Sequence, residues 1–334
     1  MGAKPGGRER NTLCYKDVVI YRRDILEKVN YQNVDYAQQY LKNLMLNDLS
    51  SNAKSQKIFT LTSWFDYIYE NQGDKCVTEL NENDLEEYFY YMSSQKKNKA
   101  STISHHMSDI SAFYIYLRKK GVMYYNPMDN VKRPNIIVNE DHKHYLSEEK
   151  VEELKVKLKE NGDLQLEVYA LFSLSTGARA TAVASVRWEQ IDFDKRMVLN
   201  VKEKNHKVVT LYFNKNVKEL LLNLKKYRED NNIQDGGYVF ITYTYNYCDG
   251  ANRKPMSAST LGNWCKKIGK LIDVPDLHPH DFRYTAGNLM LQKGGDIGMV
   301  SLMLNHSNLA TTFKHYICRN QNEYLAEYKD KFDF

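Results

Sequence analysis

Apolar residues recur at three- and four-residue intervals through the first third of the chain, which is the spacing of one buried helix face. The clearest such run consists of Ile58, Leu61, Trp64, Phe65, Ile68 and Tyr69. The same spacing predicts two further helices, at residues 83–93 and 101–119. The side-chain oxygens of Asn83 and Ser101 are suited to cap the first turns of these helices. We therefore predict a small helical domain over residues 31–130.

The periodic pattern stops between residues 131 and 145, where Pro134 and a run of polar residues interrupt it. A proline pushes the residue before it out of helical geometry, so this stretch is predicted to be a linker. A helix then starts after Ser147, whose hydroxyl can cap the free amides, and Glu148 and Glu149 suit the positive end of the helix dipole. We predict a second domain over residues 146–316 and a C-terminal tail over residues 317–334.

Residues 197–213 depart from the helical pattern, because Val and Leu there alternate with polar residues. The polar run 202–207 divides this stretch and predicts a β-hairpin. A short strand at residues 238–242 is predicted after Gly236 and Gly237. The expected fold class is mostly α, with a small antiparallel β-hairpin or sheet in the C-terminal domain.

The composition is that of a globular protein, with 42% hydrophobic and 27% charged residues. The sequence contains no apolar run of roughly 18 residues or more, so we expect no membrane association and a cytoplasmic location. The five cysteines stand singly, without the close pairs of zinc or redox sites, and are expected to be reduced, partly buried thiols. No metal site is predicted.

The formal net charge of +5 permits nucleic-acid binding without requiring it. Basic residues fall into three clusters, and each cluster alone fits either a solvated face or a surface that contacts phosphates. The clusters are Lys96, Lys97 and Lys99; Arg118, Lys119 and Lys120; and Lys202, Lys204 and Lys207.

Several residues of the second domain have the chemistry needed to handle a phosphodiester. Arg179 follows Gly177, where the backbone can approach closely and the guanidinium can meet phosphate oxygens with a fixed fork of donors. His280 and Arg283 are three apart on a predicted helix, so both side chains are expected to point the same way. His306 precedes Tyr316 by ten residues. Each of these residues, taken alone, also fits an ordinary surface or core position.

Taken together, the order and spacing of these residues resemble the tyrosine recombinase, or phage-type integrase, family across almost the whole chain. Residues 176–179 and 186–192 resemble its first arginine box, residues 278–285 its second, and residues 302–316 the third box with its nucleophile. Asn126-Pro127 is similar to the exit of the family's helical domain. Two positions depart from the pattern: Ala182 stands where the family usually has a carboxylate, and Tyr284 where it often has histidine.

The resemblance implies a catalytic mechanism that uses neither a metal nor any other cofactor. Tyr316 would be the nucleophile of a 3′-phosphotyrosine intermediate, with Arg179 and Arg283 stabilising the charge on the phosphate. His306 would donate a hydrogen bond to the same phosphate, and His280 would be the general base. Lys204 would be the general acid, with Lys202 as the substitute.

The family's architecture implies a two-domain, C-shaped DNA clamp, made of a helical SAM-like core-binding domain and a tyrosine recombinase catalytic domain. The partners implied are double-stranded DNA at a specific recombination site, further copies of the chain in a tetramer, and an accessory DNA-bending or excision factor. The tail would dock on a neighbouring protomer or on its own domain. Residues 1–30 stay unassigned, because a disordered arm, a DNA-gripping helix and a partial cloning remnant all fit.

Site-specific recombination of DNA, as by the integrase of a mobile element, is therefore the predicted function. A topoisomerase-like enzyme and a telomere-resolving enzyme would share the phosphotyrosine chemistry. A catalytically silent DNA-binding regulator should have lost some of the site residues. Whether the reaction is integration, excision, inversion or dimer resolution is left open.

Overall fold

The computed structural model describes residues 12–15, 18–21, 25, 27–46, 49, 51–135, 145–203, 207–242, 256–306 and 308–313. The chain divides into two compact units, Met1–Val138 and Asn139–Phe334. Each unit has its own large cluster of buried apolar side chains. Residues 136–144 of the predicted linker lie outside the described residues.

The first unit begins with an antiparallel hairpin of two strands, β1 (Thr12–Tyr15) and β2 (Val18–Tyr21). This hairpin lies in the N-terminal stretch to which the sequence assigned no structure. The described helices that follow are α1 (Tyr31–Leu46), α2 (Ser51–Asn71), α3 (Glu82–Ser94) and α4 (Ala100–Lys119).

The predicted apolar face of α2 is confirmed, with one exception. Trp64 and Ile68 are fully buried, whereas Tyr69, at the edge of the stripe, is 44% exposed. Trp64 contacts the edge of Tyr114 on α4, with ring centroids 5.6 Å apart. The Tyr114 hydroxyl donates to the carbonyl of Val77, which satisfies the one polar group of this buried ring.

Both predicted N-caps in this unit are wrong by two residues. Asn81, not Asn83, caps α3: its side chain accepts from the Asp84 amide at 3.2 Å while the Asp84 carboxylate accepts from the Asn81 amide at 2.9 Å. This reciprocal pair satisfies two amides, whereas a cap at Asn83 would satisfy one. Helix α4 starts after Lys99, whose side chain makes no capping bond, and Ser101 already lies inside the first turn.

The second unit is mostly helical around a small sheet. Its described helices are α5 (Glu148–Asn161), α6 (Leu164–Thr176), α7 (Ala180–Ala184), α8 (Lys215–Asp230), α9 (Ala258–Leu271), α10 (Pro279–Gln292), α11 (Ile297–Met303) and α12 (Leu309–Thr312). The antiparallel sheet has the order β3 (Ile191–Asp192), β4 (Met197–Lys202) and β5 (Val208–Tyr212). The predicted cap is confirmed, because the Ser147 hydroxyl accepts from the amide of Lys150. No helix in the described ranges is long and apolar enough to cross a membrane.

The hairpin β4–β5 forms where the alternating pattern predicts it, and β3 adds a third strand that the sequence did not indicate. The strand predicted at residues 238–242 is wrong, since only Tyr238 makes a β-bridge, to Arg187. The carbonyls of Tyr238 and Val239 instead accept from the buried Arg228 guanidinium at 2.9 and 2.7 Å. The Gln165 side chain bonds both backbone groups of Ile241. Side chains therefore occupy the groups that a strand partner would need.

Candidate active site

Helix α6 ends at a glycine that the site requires. Gly177 has φ 59° and donates its amide to the carbonyl of Ser173 at 2.9 Å. A β-carbon here would lie 2.6 Å from Cδ2 of Leu304. A residue without a side chain therefore allows the end of α6 to pack against the segment that precedes His306.

Arg179 lies immediately before α7, with extended backbone angles of φ −69° and ψ 147°. Its guanidinium Nη1 donates to Oε2 of Glu203, which directly follows β4. The Glu203 side chain is only 1% exposed, while that of Arg179 is 35% exposed. The hairpin thus carries a buried carboxylate that holds this arginine.

Sequence reasoning did not single out Glu203 as a site residue. A signal was present, because alternation along β4 places Glu203 on the same face as the buried Val201. A charged residue on the buried face of a strand indicates that a partner of opposite charge lies inside.

Arg283 lies on α10, which begins with Pro279 and is capped by the Asp281 carboxylate, an acceptor for the His278 amide at 2.7 Å. The Arg283 side chain is buried. Its Nη1 donates to the carbonyl of Gly177 at 2.7 Å and its Nη2 to the carbonyl of Leu304. One guanidinium therefore joins α10 to the ends of two other helices, α6 and α11.

His280 does not share the environment of Arg283, although the two lie three residues apart on α10. His280 is exposed, whereas Arg283 is buried. The His280 ring stacks on Tyr284, with centroids 5.0 Å apart and planes inclined by 28°. The two side chains therefore differ in exposure, and the expectation that both point the same way stays a prediction.

His306 follows a tight helix end. Asn305 adopts a left-handed conformation (φ 53°), which asparagine tolerates better than most residues, and the His306 amide donates to the Ser301 carbonyl at 3.0 Å. The half-buried imidazole bonds through Nδ1 to Oγ1 of Thr312 at 2.7 Å. Thr312 is buried, so it holds the ring from inside.

Lys207, which directly precedes β5, contacts the His306 segment. The Glu203 amide donates to the Lys207 carbonyl at 2.8 Å, and the Lys207 ammonium donates to the Asn305 carbonyl at 3.1 Å. Lys202 is exposed at the end of β4, paired in register with Val208. Two predicted site residues, Lys204 and Tyr316, lie outside the described residues.

The basic residues that the sequence assigns to DNA contact in the first unit are exposed, as a DNA-contacting surface requires. They are Lys96, Lys97, Lys99, Arg118, Lys119 and Lys120. Two of them lie over aromatic rings: Lys96 is 5.4 Å from the centroid of Tyr91, and Lys120 is 5.8 Å from that of Tyr116. Such contacts leave the charge of a lysine in place.

A chain of contacts links the segments that carry Arg179, Arg283, His306 and Lys207. Arg283 bonds Gly177, two residues before Arg179, and Leu304, two residues before His306. The hairpin contacts the same two segments through Glu203 and Lys207. The same region therefore contains two arginines, a histidine and flanking lysines. Such a set of donors suits an anion with several oxygens, such as a phosphodiester.

The phage integrase family model matches residues 144–323. A tyrosine recombinase of Thermosipho africanus (strain TCF52B) is 25% identical over 259 residues, which are 75% of this chain and 85% of the relative. The fold is similar to that of the Tn1549 transposon integrase in complex with transposon right end DNA, with a TM-score of 0.65 at 16% identity over 90% of this chain and 98% of that one. It is also similar to a lambda integrase dimer bound to a COC′ core site, with a TM-score of 0.64 at 13% identity over 84% and 76% of the two chains. Since the family model spans more than half of the chain, the protein belongs to the phage integrase family and is a tyrosine-type site-specific DNA recombinase.

Proposed function

We propose that this recombinase cleaves and rejoins DNA through a 3′-phosphotyrosine at Tyr316 and exchanges strands between two duplexes. The observation that carries the proposal is the double hydrogen bond from Arg283 to Gly177 and Leu304, which joins the three segments of the family's site around one buried cation. The covalent link conserves the energy of the phosphodiester bond, so rejoining requires no high-energy cofactor.

In the first step, the phenolic oxygen of Tyr316 attacks the phosphorus, and the bond from phosphorus to the 5′ oxygen breaks. Negative charge develops on the nonbridging oxygens during the attack, and Arg179 and Arg283 stabilise it. An arginine suits this role because its charge persists at any working pH and its donors form a rigid fork.

Two protons move in this step. The Tyr316 proton passes to His280, because an unperturbed phenol with a pKa near 10 is a weak nucleophile at neutral pH. Lys204 supplies the proton to the departing 5′ oxygen, with Lys202 as the alternative donor on the same hairpin.

His306 is assigned to the phosphate. Its Nδ1 bonds to Thr312, which fixes the plane of the ring. With Nδ1 so engaged, Nε2 is the nitrogen that we assign to a nonbridging oxygen.

The substrate is double-stranded DNA that carries a specific site. The two units would bind opposite faces of this duplex as a C-shaped clamp. The helical unit would act as a SAM-like core-binding domain. The exposed clusters at residues 96–99 and 118–120, together with Lys202 and Lys207, contact the backbone phosphates. We place the protein on DNA in the cytoplasm.

Recombination of two duplexes needs four cuts, so we propose a tetramer on DNA. The structurally similar lambda integrase was solved as a dimer bound to a core site. The tail, residues 317–334, would dock on a neighbouring protomer, and an accessory DNA-bending or excision factor would complete the assembly. We expect light scattering to give the mass of a tetramer on DNA with two full sites. Finding monomers alone on such DNA would count against the proposal.

Covalent trapping tests the proposal. Nicked duplexes with a randomised core are incubated with wild-type protein in EDTA, covalent products are recovered from denaturing gels, and the enriched sequence supplies the substrate. We expect this substrate to form a covalent adduct with wild type and with Tyr324→Phe, the matched control, and none with Tyr316→Phe. An adduct of undiminished yield in Tyr316→Phe would refute the assignment, while adducts without any enriched sequence would favour a topoisomerase-like enzyme.

A further inference from the structure

The contact between Arg179 and Glu203 joins a predicted catalytic arginine to a carboxylate of the hairpin. The Glu203 side chain is 1% exposed, and its Oε2 accepts from Nη1 of Arg179. Its other oxygen, Oε1, is buried and has no hydrogen-bond partner in the described part of the chain. A buried carboxylate is strongly unfavourable unless a cation compensates its charge. The Glu203 carboxylate therefore holds the Arg179 guanidinium beside it.

The helix that follows Arg179 offers no such carboxylate. Ala182 stands one turn after Arg179, is fully buried, and packs in the apolar core of the second unit. At this position the family usually has an acidic residue. The orientation of Arg179 therefore depends on an acid from a different element.

Glu203 also connects Arg179 to the lysines of the hairpin. It lies between Lys202 and Lys204, the two candidates for the general acid. Its backbone amide bonds the Lys207 carbonyl, and the Lys207 ammonium bonds the Asn305 carbonyl next to His306. Glu203 and Lys207 thus each contact a segment of the site, Glu203 through Arg179 and Lys207 through Asn305.

We propose that Glu203 is a positioning residue that takes over, from the hairpin, the role of the missing acidic side chain at position 182. It directs the Arg179 guanidinium toward the scissile phosphate. This inference rests on the proposed phosphotyrosine chemistry, because it concerns the residue that stabilises the phosphate in that reaction.

The main test is Glu203→Gln, which keeps the size of the side chain and removes its charge. A misplacement of about 1 Å in a catalytic group costs roughly 100-fold in rate, and we expect a loss of that order in covalent adduct formation on the trapping substrate. Glu153→Gln is the matched control, because it neutralises an acid paired with Lys150 at 2.8 Å in the same unit, far along the chain from the site residues. We expect wild-type rates from this control.

A neutral substrate separates positioning of Arg179 from general loss of structure. A methylphosphonate at the scissile position carries no negative charge, so it needs much less from the arginines. We expect Glu203→Gln to react with this substrate within a few-fold of wild type, as Arg179→Ala should. A defect equally large on both substrates would overturn the positioning role.

A double-mutant comparison provides a second, independent measurement. In the Arg179→Ala background, Glu203→Gln should cause no further loss on the ordinary substrate, because the group through which it acts is gone. Glu203→Asp retains the charge and is expected to keep more activity than Glu203→Gln. This comparison still tests the role of the charge if the glutamine variant folds poorly.

The outcomes distinguish the two levels of the proposal. If Glu203→Gln reacts at the wild-type rate while Tyr316→Phe is inactive, the role of Glu203 is overturned and the phosphotyrosine chemistry stands. Absence of any adduct in wild type would overturn the phosphotyrosine chemistry and, with it, this inference.

Discussion

The guanidinium of Arg283 donates a hydrogen bond of 2.7 Å to the backbone carbonyl of Gly177, 106 residues earlier in the chain. The same group also bonds the carbonyl of Leu304. Both carbonyls end helices, where backbone acceptors lack partners within the helix. The arginine therefore satisfies these acceptors and at the same time fixes the distance between the segments that carry Arg179 and His306. The close approach depends on the absence of a side chain at Gly177.

We predict that Gly177→Ala lowers the free energy of unfolding by about 2 to 5 kcal/mol and abolishes adduct formation. The left-handed backbone costs an alanine about 1 to 2 kcal/mol. Overpacking adds about 1 to 3 kcal/mol, because the new methyl would lie 2.6 Å from Leu304. Urea unfolding followed by circular dichroism measures the loss.

Gly162→Ala is the control for Gly177→Ala. Gly162 also has positive φ, 74°, and also ends a helix, but no atom lies within 4 Å of its would-be β-carbon. It should show the backbone cost alone and keep its activity. Equal losses of stability in the two variants would mean that packing against Leu304 contributes nothing.

The general acid can be identified by changing the leaving group. We predict that Lys204→Ala reduces cleavage of an ordinary phosphodiester by about 10²- to 10⁴-fold, and that Lys202→Ala has a smaller effect. A substrate with sulfur in place of the scissile 5′ oxygen should restore the rate of Lys204→Ala. A thiol has a pKa near 8.5, so its thiolate departs without a proton. Rescue of Lys202→Ala instead would assign the role to Lys202.

The salt dependence of binding tests the basic cluster at residues 96–99. Each phosphate contact contributes a slope of about −0.9 to the plot of log K against log salt concentration. Replacing Lys96, Lys97 and Lys99 by alanine should therefore reduce the slope by about 1 to 3. Replacing Lys155, Lys157 and Lys159 on α5 makes the same change in net charge, and these residues carry no assigned role. Similar slopes for the two triple variants would show that the cluster makes no phosphate contact.

The sequence predicted the elements that depend on periodicity and failed where side chains compete with the backbone. The alternating pattern of residues 197–213 predicted the hairpin, since a strand with one buried face shows it directly. The stretch after Gly237 also suggests a strand, but its carbonyls bond Arg228, which lies on α8. No local pattern records a partner contributed by a distant helix.

The site shows the same division between local and long-range information. The order and spacing of Arg179, Arg283 and His306 indicate the family from sequence alone. The role of Glu203 did not follow, because it depends on the loop after β4 meeting the loop after α6. The burial of Arg283 was also missed, since spacing on a helix indicates neighbours but not which of them turns toward the core.

Stability of the helical unit should decrease as the pH falls, because of a buried histidine on α4. His106 is 3% exposed and its Nδ1 lies 3.3 Å from the Tyr88 hydroxyl. Burial lowers the pKa of His106, as does the nearby His105, while Asp109 opposes them. An unfolded histidine takes up a proton near pH 6.5, but the folded one does so only at lower pH. The unfolded state therefore binds more protons between these two values, and the free energy of unfolding falls as the pH decreases through this window.

The measurement is the urea concentration at the midpoint of unfolding of the first unit, determined at several pH values between 7.5 and 5. We expect the decline in wild type to become shallower in His106→Gln, whose amide can still meet the Tyr88 hydroxyl and does not titrate. His105→Gln is the matched control, because His105 is exposed. If burial of His106 is the cause, this variant should show the same decline as wild type. A His106→Gln curve parallel to that of wild type would assign the loss of stability to other groups.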